Sequence, residues 1–495
     1  MWIRQCDVDA RTEAPPPIPA RIASNEEFLP PPQSPRQREY EARLATLGER
    51  VARRHGLSRR AFLVTGAGMA AALAALNQVF GPCYDVRADE VADPDAYRER
   101  WPKNQFVFDM QTHHTDLAYP YFEKSGDVQR YATFFRTFRP DLDPKSCVDE
   151  TNRVHYVKEV FLDSDTVMAF ISGVPTRDWS KCPLPPDQMA ATRRYVNDLA
   201  GSRRLLAHGL IRPNLGLGEL DEMERQAKEL KVEAWKFHTG ADLGEWVWRA
   251  DDERRVYPFW EKTRALGIKH LCFHKGLPLG AFNEEGCMVG DIEKAARDWP
   301  DLNFIIYHSG FQGFGTTARG PGRPVDDPRK DEPQEIPWVS DLLRVLRRSP
   351  ELKNIYFELG NTFQQLSMYA PTMCMHMLGQ MLQVVGPDRI LWGTDCIWGG
   401  SPQSQIERFR RIRIRDDLVE RYRYPPLTDE VRAKILGLNA ARLFGLDPAE
   451  RRRAIETDRL TGIRDEYRDE LKPSNTQYGW VWEGDGSPTV PVGVA

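Results

Sequence analysis

Cysteine is scarce. Eight in 495 residues are too few for a disulfide scaffold, and none falls in a Cys-x-x-Cys pair, which excludes zinc-finger and thioredoxin-type sites. No charge sign dominates either: 68 Lys and Arg stand against 72 Asp and Glu, a formal net charge of −4. There is no basic field for nucleic acid and no reason to expect acidic substrates. A Gly-x-Gly-x-x-Gly after the first apolar run is also missing, which weakens the case for a dinucleotide-binding sheet. What is present is ordinary globular composition, 41% hydrophobic and 28% charged, which excludes a disordered chain. A prior of about 150 residues per domain suggests roughly three domains, whereas a barrel holds more than about 250 residues around one core.

The first hundred residues read differently from the rest. Residues 1–57 are a Pro-rich and charged extension, with prolines at Pro15–Pro17 and Pro30–Pro32 followed by a charged, helical stretch from Gln37 to His55. Residues 58–100 open with Ser58-Arg59-Arg60-Ala61-Phe62-Leu63 and continue as an uncharged, Ala-rich run to Tyr84. Paired arginines before a weakly apolar segment look like a twin-arginine export signal followed by a linker. This predicts a partner in the export machinery, a periplasmic location and a processing point near Val86-Arg87-Ala88. The alternatives are a buried Ala-rich helix or a short membrane anchor in a chain that stays in the cytoplasm. Residues 451–495 read as a C-terminal tail.

Between 101 and 450, eight short apolar runs alternate with amphipathic, charged segments. They are Phe106–Phe108, Val167–Val174, Leu205–Ile211, Val232–Phe237, His270–Phe273, Phe304–Tyr307, Ile355–Phe357 and Ile390–Trp392. Helical spacing fills Leu220–Leu230, Asp291–Trp299, Val339–Leu346 and Pro371–Val385. Near-continuous apolar strands separated by helices predict a parallel sheet covered on both faces. Eight such units predict an α/β fold of the closed (β/α)₈ barrel type, with an N-terminal extension and long βα-loop insertions. Two connections are long: His114–Asp165, with seven aromatic residues from Tyr119 to Phe138, and Phe311–Pro337, rich in Gly, Pro and charge. Both follow strands and are expected over the carboxyl-end face.

Polar residues recur at the ends of these runs. Phe106-Val107-Phe108-Asp109-Met110-Gln111-Thr112-His113 places Gln111 and His113 two apart, on one side of a strand. Leu271-Cys272-Phe273-His274 and Ile305-Ile306-Tyr307-His308 each end in histidine, and Ile390-Leu391-Trp392-Gly393-Thr394-Asp395 ends in a carboxylate. Strand tips of a barrel converge above its axis, and His with Asp suits a borderline divalent metal. Lys236 and His238 share a face of the fourth run, Arg212 follows the third and Glu358 ends the seventh. These four are candidates for substrate binding. His376, among Met373, Met375 and Met377, reads as helix packing, and Cys272 and Cys396 as buried neighbours of the site.

These residues resemble the amidohydrolase superfamily, in its amidohydrolase-related branch that includes aminocarboxymuconate-semialdehyde decarboxylase. The resemblance rests on Asp109-x-Gln111-x-His113, His274, His308 and Arg389–Asp395, with the closing stretch Ile435–Leu446, and it covers roughly residues 104–446. It implies one divalent metal, zinc with manganese as the alternative, held by His113, His274 and Asp395. It further implies His308 as the acid/base residue, with Asp395 able to share the proton. Gln111 stands where the family has its first histidine, and an amide oxygen is a poorer zinc ligand than imidazole. Gln111 binds weakly, or the adjacent His114 replaces it, or the site works without tightly held metal.

Three functions remain open on these residues. The first is a metal-dependent hydrolase of an amide, lactone or ester bond in a small organic acid, through a metal-activated water. The second is a non-oxidative decarboxylase on the same site, favoured by a cation placed to hold a carboxylate, for which Arg212 or Lys236 would serve. The third is a degenerate barrel that binds a small molecule without catalysis. Assembly with further copies of the chain stays open.

Overall fold

A computed structural model describes residues 2–11, 15–21, 23, 33–100, 104–115, 151–175, 179, 182–240, 247–278, 283–314, 335–397, 400–470 and 480–482. The aromatic insertion from Tyr119 to Phe138 and most of the 311–337 connection lie outside the described residues.

Eight strands form one parallel sheet in sequence order: β2 (Phe108–Thr112), β3 (Met168–Ile171), β4 (Leu205–Leu210), β5 (Ala234–His238), β6 (His270–His274), β7 (Asn303–Tyr307), β8 (Ile355–Glu358) and β9 (Ile390–Leu391). A further pair, β1 (Trp2–Arg4) and β10 (Trp480–Trp482), joins the two ends of the chain antiparallel. The sheet curls until its edges meet. Met110 N–H donates to the Trp392 carbonyl at 3.0 Å, Asp395 N–H donates to the Gln111 carbonyl at 2.9 Å, and Thr112 bridges Cys396 in parallel. The expected (β/α)₈ barrel is what forms, with a strand at or next to each of the eight apolar runs.

Alternation along the strands divides the core. Met168, Phe170, Leu206, Ala234, Cys272, Ile305, Tyr307 and Leu391 make one cluster, and Trp235, Phe237, Leu271, Phe273, Phe304, Ile306 and Phe357 belong to another that includes the surrounding helices. The period of two thereby sends Lys236 and His238 to the same side as Ala234, and His274 to the side of Cys272. Strand β2 departs from this regularity. It begins two residues later than the apolar run, and its register to β3 shifts between Asp109 and Thr112. Phe108 and Met110 pack in the inner cluster, and beyond the shift Gln111 also reaches the barrel mouth. At the opposite end the closing stretch acts as a plug, with Phe444 against Phe108, Phe170 and His270.

Residues 58–100 fold as helices of the core. Ser58 caps Arg59–Leu63, placing Arg59 and Arg60 in a first helical turn, and Thr65 caps Gly66–Phe80. Ala67, Ala70, Ala71, Ala72, Leu73 and Ala75 are fully buried in the same cluster as the barrel helices. Tyr84 Oη donates to the Ser367 carbonyl at 2.8 Å, and Arg411 pairs with Glu90 at 2.7 Å in the interior. Small side chains let this helix approach its neighbours closely. No helix among the described residues is long and apolar enough to cross a membrane. Beyond 450, Pro448–Glu456 and Arg459–Glu470 are helical, and Asp458 pairs with Arg204 at 2.7 Å beneath the barrel helices.

Candidate active site

Three polar atoms meet where β2 and β9 close the barrel. Gln111 Nε2 donates to Asp395 Oδ1 at 2.8 Å and lies 3.2 Å from His113 Nε2, and His113 Nε2 lies 3.0 Å from the same Asp395 oxygen. Donors bound to one small cation at about 2.0–2.2 Å stand roughly 3 Å from each other when the angle between them is near 90°. The triangle therefore has the size of one face of a coordination shell. Gln111 Oε1 is buried with no hydrogen-bond partner, so the amide holds an unused oxygen at the site. Among the described residues no three His, Cys, Asp or Glu side chains form a ready metal-holding group. The third corner of the triangle belongs to an amide. One imidazole, one carboxylate and one amide fit a divalent cation.

His308 sits beside this triangle. Its Nδ1 donates to the Gly360 carbonyl at 2.9 Å, which leaves Nε2 as the basic nitrogen of the neutral ring, 3.2 Å from His274 Nδ1. His274 in turn stacks on His238, with ring centroids 4.0 Å apart. Burial lowers the His308 pKa to about 4, partly opposed by Asp395 and reinforced by Lys236, and burial together with His238 and His308 holds His274 well below its ordinary value. His238 falls to about 3 through burial and Lys236. The three rings are neutral at physiological pH. Burial pushes against ionisation of Asp395, but the hydrogen bond from His113 and the charge of Lys236 keep it below the ordinary carboxylate range.

Lys236 is the common cation of the site. Its Nζ lies buried 3.8 Å above the Tyr307 ring, a cation–π contact, and its charge acts on His238, His274, His308, Glu358 and Asp395.

Two expected substrate contacts have other work. Glu358 is fully buried; Oε1 accepts the Gly360 N–H at 2.7 Å and Oε2 accepts the His308 N–H at 3.1 Å. Burial raises its pKa to about 8, opposed by the His308 N–H and Lys236. It is a keystone under the site and not a surface for substrate. Arg212 makes two hydrogen bonds to Glu219, at 3.1 and 3.2 Å, and stacks on Trp179 at 3.7 Å. Its charge is balanced by that carboxylate. His114, the proposed replacement for Gln111, faces away; it contacts Thr192 Oγ1 at 2.8 Å and the Thr115 carbonyl at 3.0 Å. His376 is buried against Tyr424, at 3.0 Å between Nδ1 and Oη, and Cys272 and Cys396 are buried thiols.

Sequence reading missed two residues. Asn361 donates from Nδ2 to Asp395 Oδ2 at 3.2 Å. Asp109 accepts the N–H of Gln111 at 3.1 Å and of Thr394 at 3.0 Å, tying β2 to the loop that carries Asp395. Burial raises the Asp109 pKa to about 7 against these bonds. The Asp at the head of Asp109-x-Gln111-x-His113 was a visible signal, whereas nothing marked Asn361. His308 (φ 57°), Ser309 (52°), Asn361 (56°) and Asp395 (63°) all hold left-handed backbone. Such conformations cost about 1–3 kcal/mol each for non-glycine residues and cluster where geometry serves function.

The model of the amidohydrolase family matches residues 184–446, more than half of the chain. The chain belongs to this family. No curated protein matches it. Among solved structures it is similar to 5-carboxyvanillate decarboxylase from Sphingomonas paucimobilis, at 14% identity over 70% of this chain and 100% of that one, with a TM-score of 0.42. It is also similar to a dihydroxybenzoic acid decarboxylase from Polaromonas sp. JS666 with bound manganese and an inhibitor, at 18% identity over 70% and 99%, TM-score 0.38. A third is a probable 2-pyrone-4,6-dicarboxylic acid hydrolase from Acinetobacter baumannii with bound citric acid, at 11% identity over 69% and 99%, TM-score 0.38.

Proposed function

We propose that this chain is a cation-dependent hydrolase that cleaves an ester, lactone or amide bond in a small organic acid. The observation that carries this reading is the Gln111–His113–Asp395 triangle beside a neutral His308 with its basic nitrogen defined. His113, Asp395 and the Gln111 amide would hold one divalent cation, with His274 beside His308. Such a cation lowers the pKa of water towards neutrality and polarises a carbonyl oxygen. His308 accepts the proton of the attacking water at Nε2 as oxygen bonds to the carbonyl carbon. It returns that proton to the leaving alkoxide or amine as the carbon–oxygen or carbon–nitrogen bond breaks. Lys236 supplies positive charge for the carboxylate of the substrate, and burial strengthens that attraction.

Decarboxylation of an aromatic or unsaturated acid is the second reading, favoured by that same buried Lys236, which suits a carboxylate placed over the barrel axis. In that case His308 shuttles the proton that replaces carbon dioxide on carbon. Of the three similar solved structures described above, two are decarboxylases by name and one a hydrolase. The deciding experiment incubates purified protein, assayed for bound metal, with a panel of lactones, esters, amides and aromatic acids and follows products by mass. Products that together weigh 18 mass units more than the substrate support hydrolysis, a loss of 44 supports decarboxylation, and metal-free protein inert on the whole panel overturns both.

A further inference from the structure

Gln111 is the one corner of the triangle whose atoms can trade places. Its Nε2 now points inward, donating to Asp395 Oδ1, while the buried Oε1 has no hydrogen-bond partner and lies over Gly360. A Cβ built on Gly360 would sit 2.7 Å from this oxygen and 2.6 Å from Glu358 Oε1, so Glu358 borders the space that the amide oxygen occupies. A carboxamide has nearly the same shape when its last torsion makes a half-turn. That half-turn brings the oxygen into the triangle and carries the N–H groups to the side of Glu358, an acceptor. An unpartnered buried carbonyl costs about 1–3 kcal/mol, and the turned amide relieves it. Without a cation, the inward N–H neutralises part of the Asp395 charge; with one, the oxygen faces it.

We infer that Gln111 shifts the selectivity of this site away from the zinc expected from the family resemblance and towards the oxygen-preferring cations manganese and magnesium, relative to a site with histidine at that corner. The inference rests on the cation site proposed above and deepens it. The reason is donor chemistry: carboxylate and carbonyl oxygens suit manganese and magnesium, whereas zinc gains from each imidazole nitrogen. Glutamine in place of histidine takes one nitrogen from the set and adds an oxygen. A site of any composition binds zinc more tightly than manganese in absolute terms, so the selectivity is read as a ratio.

The test titrates full-length, metal-stripped protein with Mn²⁺, followed by the paramagnetic resonance of the free aqua ion, and with Zn²⁺ by competition. Wild type is compared with Gln111→His and Gln111→Glu, each shown by circular dichroism to be folded. Gln111→His should raise zinc affinity about 10- to 100-fold while manganese affinity stays within about threefold. Gln111→Glu keeps an oxygen donor and adds charge, so its manganese affinity should rise at least as much as its zinc affinity. Equal factors for the two metals in Gln111→His, or no change in either, overturns the inference and leaves the site itself standing. Wild type that takes up neither metal overturns the cation reading of the site and this inference with it.

Discussion

Asn361 donates to Oδ2 of Asp395 across 3.2 Å, while Oδ1 of the same carboxylate faces His113 and Gln111. The neighbouring Gly360 carbonyl holds Nδ1 of His308. One turn after β8 therefore sets the rotamer of the carboxylate and the tautomer of the imidazole. Replacing Asn361 with Ala frees the outer oxygen of Asp395 to rotate. Divalent-cation affinity should fall about 10-fold, as for other partners of ligating groups, with the melting temperature nearly unchanged. Isothermal titration calorimetry checks this, and unaltered affinity would show that Asp395 keeps its orientation without Asn361.

Removal of the His308 imidazole tests a different part of the site. His308→Ala should reduce turnover by about 10²–10⁴, the usual contribution of a general acid–base group, while cation content stays at the wild-type value. Elemental analysis of the purified variant decides the matter. Loss of the metal would mean that His308 acts as a ligand.

Glu358 and Gly393 are in such close contact that a Cβ on Gly393 would meet Glu358 Oε1 at 1.6 Å. Gly393→Ala should destabilise the fold by about 1–3 kcal/mol or more, because the carboxyl it displaces is buried and hydrogen-bonded at both oxygens. Urea unfolding measures this, and a variant as stable as wild type would show that the loop has room to shift.

Arg204 and Asp458 form a nearly solvent-free pair, 3% and 2% exposed. Burial alone would raise the Asp458 pKa, but the hydrogen bonds from Arg204 and Ser202 hold it below the ordinary carboxylate range. A carboxylate depressed in the folded state adds stability above its unfolded pKa of about 3.9, and this is lost as pH falls through the folded value. Asp458→Asn should therefore cost about 3–5 kcal/mol at neutral pH and flatten the acid side of the stability profile. A variant whose acid unfolding runs parallel to that of wild type would refute this.

The Glu90–Arg411 pair, 1% and 0% exposed, and the buried Gly66–Phe80 helix tie residues 58–100 to the barrel. Cleavage near Val86-Arg87-Ala88 would strip that helix from the core and separate Glu90 from the chain that precedes it. The chain purified from its natural source should therefore retain residues 58–100, as intact-mass measurement will show. A mature form that begins near residue 89 and is equally stable would be evidence for an export signal removed after folding.

Much of this molecule was legible from residue order alone. Eight apolar runs separated by helical spacing specify strands buried on both faces, because burial leaves no room for polar alternation. The parity of His274, Lys236 and His238 followed from the two-residue period of a strand, which is local geometry. The residues that touch across the site were not legible in this way. Gln111 and Asp395 are 284 positions apart, and the register shift in β2 that brings Gln111 to the mouth depends on its pairing with β3. Asn361 carries no signal until a left-handed turn aims it at Asp395. The roles of Glu358 and Arg212 were decided by contacts with His308, Gly360, Glu219 and Trp179. Likewise, the Ala-rich segment Gly66–Phe80 gives no sign in its sequence of which barrel helices it packs against. Local periodicity is written in the chain; which side chains meet is settled when the sheet closes.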